Sequence, residues 1–196
     1  FENNIAQESD ILVKRIEARG GIVYAKSNTP EFGAGGNTFN DVFGATLNPW
    51  NLTKSVAGSS GGSAAALASG TAWLAHGSDL GGSLRNPASF CGVVGMKPTY
   101  GLCSRWGIVA FSSSLDQAGI FANNIEDAAI LMREIAGYDS NDSTSAKIEI
   151  PNYYENLNQD MTGKIIGIPK EYTLPEIPDE INNVWENAIK LFENDE

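Results

Sequence analysis

Histidine, cysteine and long apolar runs are scarce in this 196-residue chain, and each scarcity removes a class of function. One histidine, His76, leaves no zinc-ligand cluster, and no metal or organic cofactor is expected. Two cysteines, Cys91 and Cys103, are too few for a disulfide framework, so a reducing, cytoplasmic setting is the expected one. No apolar stretch approaches the ~20 residues of a membrane span, and no basic, apolar, small-residue leader opens the chain. No membrane partner is expected, and no internal repeat is visible. The first residue is Phe, not Met, which agrees with a piece of a longer protein.

What is present describes a soluble globular chain: 42% hydrophobic and 19% charged residues, in a length able to bury a sizeable core. The net charge of −11 is unevenly spread. Residues 1–110 carry 8 Lys and Arg against 7 Asp and Glu, whereas residues 111–196 carry 5 against 17. An acidic surface repels phosphate, so no direct grip on nucleic acid is expected, and the acidic part 111–196 reads as a solvated face.

Apolar spacing predicts a helix over 6–19, ended by Gly20-Gly21, and then a buried strand over Ile22-Val23-Tyr24-Ala25. A helix, a glycine turn and a strand suggest an α/β layer. Residues 27–62 read as a long loop, kept ordered and packed by Phe32, Phe39, Phe43 and Trp50. A short helix is expected from Ser63, a strand over Thr71–His76 and a second loop over Gly77–Ser83. Residues 125–136 read as an amphipathic helix capped by Asn124, residues 138–162 as polar loop, 164–168 as a strand and 179–193 as a helix.

Two Gly/Ser clusters carry the chemistry: Gly58-Ser59-Ser60-Gly61-Gly62-Ser63 and Gly77-Ser78-Asp79-Leu80-Gly81-Gly82-Ser83-Leu84-Arg85. Glycines bring N–H groups close to a ligand, so Leu80-Gly81-Gly82-Ser83 could aim several donors at one oxyanion, with Ser83 beside them as the attacking hydroxyl. Such clusters are, taken alone, more often plain turns. The first also fits G-x-S-x-G around Ser60, but that elbow needs an acid and then a histidine downstream. His76 follows by only sixteen residues, with no acid between, in an apolar stretch that suits a structural residue. Lysine is therefore the expected base.

The runs GSSGGSAAALASG and HGSDLGGSLRNPASFCGVVGMKPTYG resemble the core of the amidase-signature family. The resemblance implies an α/β fold, with a mixed, mainly parallel sheet flanked by helices, and one incomplete domain over 1–196 with its catalytic loops at 55–90. It implies Ser83 as nucleophile and Ser59, 24 residues earlier, as bridging serine after a cis Gly58–Ser59 bond. It implies an oxyanion hole from the N–H groups of Leu80, Gly81, Gly82 and Ser83. Ser60, Asp79 and Arg85 fall at supporting positions, and Gly35 and Gly36 in a substrate loop. Residues 23–95 resemble stand-alone amidases. Residues 94–172 resemble the branch that hydrolyses glutamine for tRNA-dependent amidotransferases, whose partner subunits use ATP and Mg2+.

The family's catalytic lysine is usually followed by Asp or Glu. Only Lys170 precedes a Glu here, far downstream of both serines. Lys26 matches a different family position, before Pro30-Glu31-Phe32, and is expected to organise its loop. The resemblance thus implies an upstream lysine and an inactive 1–196 segment. A stand-alone amidase and a non-catalytic scaffold are the alternatives.

Overall fold

Asp10 opens the first helix by accepting the Val13 N–H at 2.9 Å, and α1 runs Ile11–Ala18 in the computed structural model, which describes residues 3–172 and 175–193. The chain divides into two compact units, Phe1–Leu157 and Asn158–Glu196. The two Gly/Ser loops within 55–90 lie wholly within the first; the acidic part 111–196 is shared between both.

After α1 the strand expected at 22–25 does not form: Ile22 is 89% exposed and the segment pairs with no described strand. An apolar run becomes a strand only when a neighbour supplies ladder partners. The long loop that follows is ordered, as two antiparallel hairpins. These are β1 (Phe39–Asn40) with β2 (Gly44–Ala45), and β3 (Leu47–Asn48) with β4 (Asn51–Ser55). Their turns are held by side chains: Asn40 Oδ1 accepts the Val42 and Phe43 N–H groups, and Asn48 Oδ1 that of Trp50. The aromatic residues do not pack inward as expected; Phe32, Phe39, Phe43 and Trp50 are all exposed. The Trp50 indole is tethered, donating to the Cys91 carbonyl at 2.7 Å.

The next helix, α2 (Gly61–Ala68), begins two residues before its expected start. It leads to β5 (Leu74–Asp79), α3 (Arg85–Cys91), β6 (Val94–Met96), β7 (Gln117–Ala122) and α4 (Ile125–Ile135). Strand β5 lies three residues beyond its expected place, because Gly77-Ser78-Asp79 pair with Gly119-Ala118-Gln117. Asn124 caps α4 as predicted, its side chain accepting the Asp127 N–H at 2.7 Å. The sheet order is β5-β7-β6. The α/β class stands, but the mainly parallel sheet does not appear among the described strands, since both ladders are antiparallel. β5 and β6 run the same way with α3 between them, and β7 is inserted in the gap, a split β-α-β arrangement.

Side chains of β7 alternate between two cores. Ala118, Ile120 and Ala122 pack with Leu12 of α1 and Leu131, Met132 and Ile135 of α4. Phe121 packs on the other side with Ala64 and Leu67 of α2, Ala88 and Cys91 of α3, and Leu84. This second side is paved with glycine. A Cβ at Gly119 would lie 2.6 Å from Leu84 Cδ1 and collide with the Met96 carbonyl; one at its partner Gly77 would lie 2.5 Å from Ser60 Oγ. Only glycine lets Leu84 and Ser60 rest on the sheet.

The stretch 138–162 has no helix or strand, as expected. Its Asp139 accepts the Ser104 hydroxyl at 2.6 Å. In the second unit, the strand expected at 164–168 is absent and Ile165 is 98% exposed, again with no ladder partner. A 3-10 turn spans Lys170–Tyr172, and the predicted helix forms as α5 (Asp179–Glu193). Among the described residues no helix is long and apolar enough to cross a membrane.

Candidate active site

Asp79, at the end of β5, organises the loop that carries Ser83. It is 1% exposed and accepts the N–H groups of Gly82 at 2.8 Å and Leu84 at 3.0 Å. The Arg85 guanidinium forks onto the same carboxylate, Nε to Oδ2 at 3.1 Å and Nη2 to Oδ1 at 2.9 Å. Burial would raise the Asp79 pKa, but Arg85 and the two N–H donors outweigh it and hold the carboxyl below its usual value. Asp79 is thus an anion around which the loop folds, with Arg85 forked onto it.

That wrapping alters the expected donor set. The Gly82 N–H is spent on Asp79. The N–H groups of Leu80, Gly81 and Ser83 have no acceptor among the described residues. Gly82 sits at φ +130°, so the chain can turn there and leave Ser83 half-buried at the loop's end.

The first cluster is built underneath. The Gly58–Ser59 peptide bond is cis. Ala57 before it has φ +61°, a left-handed conformation costing an L-residue on the order of 1 kcal/mol. Thr38, 3% exposed, compensates: its Oγ1 lies 2.8 Å from the Ala57 carbonyl and accepts the Gly61 N–H at 3.1 Å. Ser60 leads into α2, yet its hydroxyl bridges to Ser78, accepting that N–H and donating to that carbonyl at 3.2 Å each. The two loops join directly where the Ser60 N–H donates to the Ser83 carbonyl at 3.1 Å. Ser59 is 2% exposed. Neither its hydroxyl nor that of Ser83 has a hydrogen-bond partner among the described residues, so the two are not bonded to each other.

Gly35 and Gly36 line an open cleft of about 420 Å³ with Glu31, Asn37, Phe39 and Asp41. Asn37 ties this cleft to the serines: a Cβ at Gly58 would lie 2.9 Å from its backbone. Lys26 is exposed and makes no hydrogen bond among the described residues, so it does not organise the loop as expected. Ser27 and Asn28 do that work. Ser27 Oγ meets Ser63 Oγ at 2.8 Å, and Asn28 accepts the Gly62 N–H at 3.2 Å. His76 is half-buried on β5 opposite Ile120, and its carbonyl accepts the Ser63 hydroxyl at 3.1 Å, a structural role. Burial pushes the Cys91 thiol up and that of Cys103 to about 12, so neither is a ready thiolate.

Thr38 and Asn86 were not singled out from the sequence. Thr38 acts through a contact 19 residues away, which no local pattern announces. Asn86 directly follows the second cluster, and its distance in sequence from the first loop hid its contact there.

The candidate site is thus two Gly/Ser loops packed on a glycine-paved sheet, with Ser83 next to N–H groups that have no acceptor among the described residues. The chain belongs to the amidase family, whose sequence profile matches residues 1–196. It is 50% identical over 194 residues to the A subunit of the glutamyl-tRNA(Gln) amidotransferase of Carboxydothermus hydrogenoformans, covering 99% of this chain and 40% of that protein. That match runs through residues 23–95 as well as 94–172. The crystal structure of the corresponding Thermotoga maritima protein superimposes with TM-score 0.93 at 43% identity, over 98% of this chain and 42% of that one. A bacterial aryl acylamidase of the amidase-signature family gives TM-score 0.87 at 30% identity, over 97% and 39%. The chain therefore spans about two-fifths of the length of these relatives.

Proposed function

We propose that the protein carrying this chain hydrolyses a carboxamide through an acyl-enzyme on Ser83, and that it works as the glutamine-hydrolysing component of a tRNA-dependent amidotransferase. The observation that carries the chemistry is the Asp79-centred loop, which spends one N–H and leaves those of Leu80, Gly81 and Ser83 open beside the Ser83 hydroxyl. Ser83 Oγ attacks the amide carbon as its proton passes to Ser59, whose own proton goes to a base. The open N–H groups stabilise the oxygen that gains negative charge. Collapse expels ammonia with the returned proton, and water then releases the carboxylic acid and restores Ser83. No lysine bonds either serine among the described residues; the family resemblance supports a lysine base outside this segment, so residues 1–196 alone would not turn over amide. No cofactor enters these steps; ATP and Mg2+ belong to the partner subunits.

The identity with a glutamyl-tRNA(Gln) amidotransferase over nearly the whole chain favours glutamine. The fold shared with an aryl acylamidase supports a stand-alone amidase as the second reading. The test compares the full-length gene product alone and with its partner subunits. Glutamine hydrolysis that rises sharply with the partners supports the first reading. Rapid turnover of simple aliphatic or aryl amides by the isolated protein supports the second. Absence of any amide turnover together with absence of fluorophosphonate labelling at Ser83 would overturn both.

A further inference from the structure

Asn86, in the first turn of α3, touches both serine loops at once. Its backbone N–H donates to the Gly82 carbonyl at 2.6 Å, and its side-chain Nδ2 donates to the Gly58 carbonyl at 3.3 Å. Its Cβ packs over Gly82, where an added Cβ would meet it at 3.6 Å. The first contact has a geometric consequence. In a trans peptide the C=O and N–H point in opposite directions. Holding the Gly82 carbonyl toward α3 therefore turns the Ser83 N–H away from the helix and leaves it open. The Ser83 carbonyl is pinned by the Ser60 N–H at 3.1 Å, so the peptide planes on both sides of Ser83 are held. The second contact links this arrangement to the residue just before Ser59.

We propose that Asn86 is a positioning residue for acyl transfer: its backbone aims the Ser83 N–H, and its carboxamide holds the Gly58 carbonyl so that Ser59 and Ser83 stay in register. This rests on the reading of Ser83 as nucleophile. Asn86 does not touch the reacting atoms, and it acts through the two loops it joins. Preorganised donors and nucleophiles are sensitive to displacements well under the size of an atom, so loss of the clamp should appear in the chemical step rather than in substrate binding.

The test uses the full-length protein with its partner subunits and three forms: wild type, Asn86→Asp and Asn86→Gln. Asp keeps the size and the backbone N–H but has no side-chain donor when ionised; Gln keeps the donor on a longer arm. The readouts are kcat and KM for glutamine, the rate of fluorophosphonate labelling at Ser83, and the thermal midpoint. N86D is expected to lower kcat about tenfold or more while KM moves less than about threefold, with labelling slowed in parallel and the midpoint nearly unchanged. N86Q should recover much of the lost kcat. A kcat for N86D within about twofold of wild type would overturn the proposal, as would a loss that follows the thermal midpoint and is not recovered in N86Q. A wild-type protein with neither turnover nor Ser83 labelling sinks the functional reading and Asn86's role with it. An active wild type with an unaffected N86D sinks only the latter.

Discussion

The two faces of β7 are made of opposite materials. Ala118, Ile120 and Ala122 face a conventional core of Leu, Ile and Met from α1 and α4, filled by large apolar side chains. The other face presents Phe121 at one end and Gly119 beside Gly77 at the other, and on the glycine patch rest Leu84 and Ser60 from the two Gly/Ser loops. One face gains stability from buried side-chain area; the other gives up side chains so that backbone and hydroxyl groups can lie against the sheet. The difference teaches that the candidate site is held by close backbone approach and a buried anion in addition to the apolar cluster around Phe121.

Changes on the two faces should therefore fail differently. The largest effect is expected from Ser83→Ala, which touches neither core. It should cut amide turnover by about 10⁴-fold or more in the full-length protein while the thermal midpoint stays close to wild type. If turnover survives and the fluorophosphonate label appears on Ser60, Ser83 is the wrong nucleophile.

Gly119→Val and Ile120→Ala, adjacent on one strand, sharpen the comparison. Ile120→Ala empties a fully buried position and should cost about 2–5 kcal/mol in denaturant unfolding, with activity per folded molecule retained. Gly119→Val drives a side chain into Leu84 and the Met96 carbonyl. It should cost at least as much and also lower kcat per folded molecule, because Leu84 follows Ser83 directly. Equal activity in the two folded variants would break the distinction between the faces.

A smaller effect is expected from Asp79→Asn. The carboxyl's folded pKa is depressed, so it stabilises the fold at pH above the unfolded value of ~3.9, and that stability is lost as pH falls through the lower folded value. Wild type should lose thermal stability steeply below about pH 4, and the Asn variant should show a shallower acid limb. At neutral pH the loss should be about 1–3 kcal/mol, most of it from the hydrogen bonds to Gly82 and Leu84. Because the Arg85 side chain is 53% exposed, its ion pair itself adds little. Identical acid limbs would remove Asp79 from the centre of the loop.

Lys26→Ala should do least. An exposed lysine without a hydrogen bond contributes within about 0.5 kcal/mol, and no change in kcat is expected. Loss of amide hydrolysis in this variant would make Lys26 the base.

Legibility followed the range of the forces involved. Helix α4 could be read from its Asn124 cap and apolar spacing, and α5 from its spacing, because caps and helical periods are local. Helix α3 was missed. It is seven residues long with Pro87 in its first turns, and it forms because Leu84 and Ala88 pack into the core against α2. Strand β7 was missed because Gly119 interrupts its apolar run, and that glycine makes sense only once Leu84 lies across it.

By itself the sequence determined the family, the two serine loops and the residues that would build a site from them, since these are carried by order and spacing along the chain. Tertiary structure alone decided which of those groups remain open. It spends the Gly82 N–H on Asp79, leaves those of Leu80, Gly81 and Ser83 without acceptors among the described residues, and ties both loops through Asn86. The physical reason is the same in each case: a hydrogen bond needs a partner in space, and partners distant in sequence are chosen only when the chain folds.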